Sequence, residues 1–443
     1  MRVGTAESLP RGWTSASLGQ LGDYLNGRAF KKDEWSDKGR VIIRIQDLTG
    51  SGSAPNRFEG SVESRYEVRR GDFLISWAAT LGAFRWAGSD AVLNQHIFKV
   101  NSFIDKAFHF YLVQAILADL QRQAHGSGMV HITKSKFDQT RVQVPPLAEQ
   151  HRIVAAIEEH LSRLDAAVAA LERVRAALSR YRAAVLKAAC EGRLVGTEVT
   201  PAALWSQVTV GQVATEVRYG TSAKASENGN GVPVLRMGNI VDGGLDVRSL
   251  KFLPREHDEF PALLLERGDV LFNRTNSPEL VGKTAVYRGT PSPCSFASYL
   301  IRIRLAPDCL PDFLAFTLNS VVGRDWIRSV VSQQVGQANV SGGKLKNFSF
   351  TLPPVTDQQR IVAEVDRRLS LADAAERAVS AGLVKAKRLR QAILKRAFEG
   401  KLAPQDPNDE PASVLLEQIR AVRASAAPTA GPREGRRRKA AKK

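Results

Sequence analysis

Apolar positions recur at steps of mostly three and four residues along two long stretches of the chain. The first stretch carries Ile153, Ile157, Leu161, Leu164, Val168, Leu171, Leu178, Tyr181 and Val185. The second carries Ile361, Val365, Leu369, Ala372, Val379, Ala386, Leu389 and Ile393. That spacing predicts two helices with one apolar stripe each. Pro-Pro precedes both, and Gly192 and Gly400 stand where a left-handed residue closes a helix. Thr356 with Gln359 reads as a capping box at the start of the second helix, and Ala148 breaks it in the first. About 42 helical residues span roughly 63 Å, more than one globular domain needs. A narrow stripe on so long a helix calls for a helical partner.

The two stretches are copies of each other. Pro145 to Leu194 aligns without a gap on Pro353 to Leu402, an offset of 208 residues, with about 22 identities. Each helix therefore has an obvious partner in the other, packed antiparallel about a pseudo-twofold axis. The alternative is that each packs on its own domain and the repeat is an old duplication. The segments ahead of the helices repeat more weakly: Trp13 onward resembles Trp205 onward, and Arg40 onward resembles Val232 onward. Arg70-Gly71-Asp72 and Arg267-Gly268-Asp269 each precede a β-branched or apolar run, as turns that open strands do. Phe108 to Gln123 and Pro311 to Val330 read as helices that follow those strands. The resulting fold class is α+β, two mixed α/β domains alternating with two long helices that pair as an antiparallel coiled coil. The expected boundaries are 1–144 for the first domain, 145–194 for its helix, 195–352 for the second domain, 353–402 for its helix, and 403–443 for a C-terminal extension with a basic tail.

A chain of 443 residues has room for two or three such domains. Its charge narrows the partner: 63 Lys and Arg against 45 Asp and Glu leave +18. Pro432 to Lys443 contributes +6 of that, so the body itself is basic, which favours a polyanion such as nucleic acid. Cys190, Cys294 and Cys309 are too far apart for a disulfide scaffold or a zinc site. No apolar run is long enough to cross a bilayer and the N-terminus carries no apolar leader, so no membrane partner and a cytoplasmic location are expected.

Catalytic signatures fail one by one. Gly282-Lys283-Thr284 is not a phosphate-binding loop, because Ser277 stands where that loop needs glycine. Motifs for amino methylation, metal-assisted hydrolysis and serine nucleophiles are missing. What does cluster is flat, bidentate polar side chains in loops at equivalent places. Arg pairs with guanine, Asn or Gln with adenine, and Lys with phosphate. The candidate DNA contacts in the first half are Lys31, Lys32, Arg44, Gln46, Trp77, Gln95, His131, Lys134 and Lys136. Those in the second are Tyr219, Arg236, Asn239, Asn273, Arg274, Thr275, Asn276, Lys283, Gln337, Asn339 and Lys344.

The chain resembles the specificity subunits of Type I restriction–modification systems over about residues 8–402. The features that carry the resemblance are Leu9 to Trp13, Pro145 to Gln150, its varied copy Pro353 to Gln358, the helix ends Glu191 to Leu194 and Glu399 to Leu402, and the segment Phe272 to Lys283. The resemblance implies two target recognition domains, each reading one half of a split double-stranded DNA sequence. It implies two methylation subunits that dock on the helices, bind S-adenosylmethionine and methylate adenine, and restriction subunits that use ATP and Mg. This chain would then carry no cofactor, metal or catalytic residue of its own. Two other classes stay open: a single-chain methyltransferase or nuclease, and a DNA-binding scaffold of another defence system.

Overall fold

The computed structural model describes residues 9–51, 54–123, 134–195, 202–227, 229–334 and 337–426. They fall into two compact units, residues 1–169 with 383–443, and residues 170–382. The two long helices run Leu147–Cys190 and Val355–Phe398, 44 residues each, or about 66 Å. Each is divided between the units near its middle, so a unit holds one mixed α/β domain with parts of both helices.

The two domains repeat one strand order. In the first unit an antiparallel sheet runs Gly22–Asn26, Ile97–Ser102, Phe73–Ser76, Gly82–Arg85. In the second, Ala214–Tyr219, Leu300–Leu305, Val270–Asn273, Thr284–Val286 follow the same order. A smaller sheet beside each contains one parallel pair, Arg40–Ile43 with Ala91–Leu93 and Val232–Leu235 with Ser295–Phe296. Gly71 and Gly268 take positive φ (86° and 98°), and the Asp after each accepts a backbone N–H three residues back. These are the turns that the Arg-Gly-Asp triplets predicted. A two-stranded ladder ties the two ends of each domain together: Thr14–Ser17 with Arg141–Val144, and Ser206–Thr209 with Ser349–Leu352.

That ladder delivers the chain to Pro-Pro, where the helices begin, and here the capping-box expectation is corrected. The helices start at Leu147 and Val355, directly after the second proline, so Ala148 and Thr356 lie inside the first turn and not at the N-cap position. The polar work is done by a glutamine one turn in. Gln150 Nε2 donates to the Pro145 carbonyl and its Oε1 accepts from Asp105 N. Gln358 repeats this, donating to the carbonyls of Pro353 and Asp308 and accepting from Leu310 N. Both amides are fully buried, so each lost partner would leave an unpaired polar atom. The helix ends behave as the glycines predicted. Arg193 N donates to Ala188 O and Lys401 N to Arg396 O, the six-to-one bonds of a Schellman motif with Gly192 and Gly400 left-handed.

A second correction concerns Pro311 to Val330, expected as one helix. It is two, Pro311–Asn319 and Val321–Val330, because Ser320 adopts extended backbone and its Oγ accepts from Gly323 N to start the second. A third concerns the apolar stripe: Tyr181 and Leu389, equivalent in the repeat, are exposed. Most of the rest of the stripe enters two cores, while Leu171, Leu178, Ala372 and Val379 in the middle of the helices lie in neither. In the first unit Ile153, Ile157, Leu161 and Leu164 pack with Phe73, Phe98 and Phe108 and with Ile393, Ala397 and Phe398. In the second, Ile361 and Val365 pack with Phe272, Phe313 and Phe348 and with Val185 and Ala189. Each domain is thus sealed by the beginning of its own helix and the end of the other. One ion pair also recurs. Arg182 binds Asp373 at 2.5 Å and Glu376 at 2.8 Å within the second unit, and Arg390 binds Asp165 within the first. Arg182 and Asp165 are the repeat equivalents of Arg390 and Asp373.

A buried histidine gives the first unit a pH dependence. His109 is fully buried between the Tyr24 hydroxyl and Ser102 Oγ, each 2.8 Å from a ring nitrogen. Burial pulls its pKa down to about 3. The unfolded chain takes up a proton below about pH 6.5 that the folded chain refuses, so stability falls as pH drops from 6.5 toward 3. Between pH 7 and pH 5 the loss is about 2 kcal/mol. Thermal melting at the two pH values checks this: the shift should shrink in His109→Gln, and an equal shift in both proteins would remove His109 as the cause.

Candidate nucleic-acid interface

In the second unit the inner strand Val270–Asn273 ends at Arg274, which leaves the sheet beside the end of the edge strand, Tyr219. The guanidinium lies over the Tyr219 ring, 4.8 Å from its centroid, a cation–π contact. Its Nη2 donates to Asn339 Oδ1 at 3.2 Å and its Nη1 to the Ser298 carbonyl at 3.5 Å. The supports are themselves held. Asn339 Nδ2 donates to Thr275 Oγ1 at 3.0 Å, and the Tyr219 hydroxyl accepts from Gly342 N at 2.6 Å. A three-stranded ladder of Thr275–Asn276, Gln337–Asn339 and Ser332–Gln334 frames the cluster.

The first unit builds the same place from other side chains. Phe73–Ser76 ends at Trp77, whose Nε1 donates to Asn26 Oδ1 at the end of the edge strand. The indole stacks on Phe98 at 5.6 Å and meets His96 edge-on at 5.0 Å. The backbone matches bond for bond. Trp77 N donates to His96 O as Arg274 N does to Tyr299 O, and Gln95 N donates to Arg28 O as Ser298 N does to Thr221 O. Gly27 and Gly220 are equivalent because a Cβ there would sit 2.0 Å and 2.3 Å from a neighbouring carbonyl oxygen. Position 77 therefore corresponds to 274, 26 to 219, 95 to 298 and 96 to 299.

Of the candidate contacts, the structure brings Tyr219, Arg274, Thr275 and Asn339 into one network. Lys31, Lys32, Gln95, Lys134, Lys136 and Gln337 are exposed, with Lys134 also paired to Asp138 at 2.6 Å. Asn276 and Lys283 are half-buried, and Asn276 Oδ1 accepts from Ser277 N. Several expectations are corrected. Asn239 is buried and closes a loop: its amide donates to the carbonyls of Asp246 and Ser249 and accepts from Arg236 N. Asn273 is fully buried and Thr275 nearly so, which makes both supports rather than readers. Lys344 Nζ is engaged by the Val330 carbonyl and Ser332 Oγ. Arg44 is tied to Asp47 on its own turn, and half-buried Gln46 and Arg236 sit in the matching turns. Trp77 packs on the domain core instead of standing free. His131 lies outside the described residues.

Sequence reasoning missed Asn26, His96, Ser298 and Tyr299. Asn26 was within reach, since it lies in the stretch from Trp13 that aligns with the one from Trp205, whereas His96, Ser298 and Tyr299 adjoin no aligned segment. Two domains of one topology with unlike side chains at matched loop positions define a duplicated protein. No described helix is long and apolar enough to cross a membrane. The family model for the Type I restriction modification DNA specificity domain matches residues 10–175 and again residues 203–374. The chain belongs to that family. It is 27% identical to the EcoKI specificity subunit of Escherichia coli, over 95% of this chain and 97% of that one. It is 30% identical to the StySPI specificity subunit of Salmonella potsdam, over 94% and 96%. The fold matches a chain from a solved type I R-M system, described for its complex assembly and conformational transition, with a TM-score of 0.65 at 22% identity over 90% of this chain and all of that one.

Proposed function

We propose that this chain reads a bipartite double-stranded DNA target for a Type I restriction–modification complex in the cytoplasm, one half-site per α/β domain, and catalyses nothing by itself. The observation that carries this is the register equivalence of positions 26, 77, 95 and 96 with 219, 274, 298 and 299: one scaffold, two reading chemistries. Phosphate contacts from the basic body would supply salt-dependent affinity and base contacts the sequence. The long helices pair as an antiparallel coiled coil and set the distance between the two faces. The recurrent ion pair supports that pairing, since moving 17 residues up one helix, from Asp165 to Arg182, moves the partner 17 residues down the other, from Arg390 to Asp373. Two methylation subunits dock on the helices and bring S-adenosylmethionine, and their pockets receive the unstacked adenines. Restriction subunits bring ATP and Mg.

The test is methyl transfer from labelled S-adenosylmethionine to DNA, with the pure chain and with methylation subunits added. The account expects transfer only in the mixture and only on particular sequences. Transfer by the pure chain would make it a methyltransferase in its own right. Indiscriminate transfer by the mixture would make it a scaffold.

A further inference from the structure

Arg274 is held on both Nη nitrogens and on its face, by the Ser298 carbonyl, Asn339 Oδ1 and the Tyr219 ring. Each group that touches its guanidinium is anchored in turn: Asn339 by Thr275, Tyr219 by Gly342. A long flexible side chain usually loses rotamer freedom when it binds, and here that loss has been met on folding. The contacts also leave N–H capacity on both Nη nitrogens. Nε is buried, Nη1 uses one hydrogen on Ser298 O, and Nη2 uses one on Asn339 Oδ1. Each Nη nitrogen keeps a second hydrogen. Two N–H groups on adjacent nitrogens of a rigid plane match the O6 and N7 acceptors of guanine in the major groove, and no other base offers that pair.

We infer that position 274 determines specificity, with Arg274 reading one guanine through its Nη1 and Nη2 hydrogens and with Asn339 and Tyr219 as positioning residues. The inference rests on the reading of the second domain as a half-site reader. Trp77, at the matching place in the first domain, has a single N–H and gives it to Asn26. The first half-site should therefore place no such demand for guanine at the corresponding base pair.

The experiment uses the full chain reconstituted with methylation subunits. Methylation rates are measured on a set of duplexes with every base pair of the target substituted in turn. Wild type, Arg274→Lys, Arg274→Ala and Asn339→Ala are compared. A bidentate pair is worth about 5- to 150-fold of discrimination. Arg274→Ala should lose that factor at one G·C pair of the second half-site and leave the first half-site unchanged. Arg274→Lys, which keeps charge and stem but not the fork, should lose most of it, and Asn339→Ala should lose part at the same base pair. Loss spread evenly over all sequences would make Arg274 a phosphate contact, and unchanged discrimination would make it structural; either overturns the inference. Unchanged reading of the first half-site shows that a variant is folded. Should the wild-type mixture show no sequence preference at all, the half-site reading itself has failed.

Discussion

Two residues inserted into each long helix, after Ala176 and after Val379, abolish sequence-specific methylation, whereas four residues at the same places preserve it and change the tolerated spacer. At about 100° per residue, two residues turn everything beyond them by about 200°, and four by about 400°, or 40° net. Beyond a two-residue insertion Arg182 would leave the face that meets Asp373 and Glu376, and Val185 and Ala189 would turn out of the core they share with Ile361 and Val365. Burying those apolar groups is worth about 1.5–3 kcal/mol each for the larger ones, so the pairing should fail. Four residues keep the stripe on its face and add about 6 Å, close to two base pairs at about 3.4 Å. Methylation of duplexes with a series of spacer lengths reads the result. An active four-residue variant with an unchanged spacer would leave the helices as docking posts that measure nothing.

Within the second unit the two long helices come close at Gly382. A Cβ built there would meet Leu171 Cδ1 at 3.0 Å, so the tip of that side chain would have to shift by a few tenths of an ångström. In the repeat Gly382 corresponds to Val174, which is exposed.

The large elements were legible because their signals are periodic and redundant. Two copies of one helix, each opened by Pro-Pro and closed by a left-handed glycine, place each start within two residues, while the expected segments run four residues past the helix ends at Cys190 and Phe398. The Arg-Gly-Asp turns were legible because glycine, aspartate and a β-branched run agree on one geometry. The polar loops were harder. Asn239 and Asn273 have the composition of base readers, yet a buried amide with backbone partners closes a loop just as well, and one-dimensional spacing does not separate the two uses. Ser320 broke an expected helix because its hydroxyl offers Gly323 N–H a cap, a local competition that apolar periodicity does not register. The Gln150 and Gln358 clasps were hidden for a different reason: their partners lie 45 and 48 residues away.

The second large effect comes from exchanging a whole reading surface. Residues 8–144 hold Asn26, Trp77, Gln95 and His96, together with the sheets that position them, and no part of the Tyr219–Arg274–Asn339 network. Replacing them with the equivalent segment of a relative should change one half of the target completely and leave the other half and the adenine-methylating activity intact. The graft must still seal against Ile153, Ile157, Leu161 and Phe398, so a relative with the same apolar residues on that face is the right donor. Retained reading of the second half-site reports that the chimera has folded.

Mapping the methylated adenines in DNA exposed to the parent and chimeric complexes tests the division of labour directly. The account predicts a split motif for the parent, and for the chimera a motif with one new half, one retained half and the same spacer. A chimera that changes both halves, or a parent that methylates a single uninterrupted site, would contradict it.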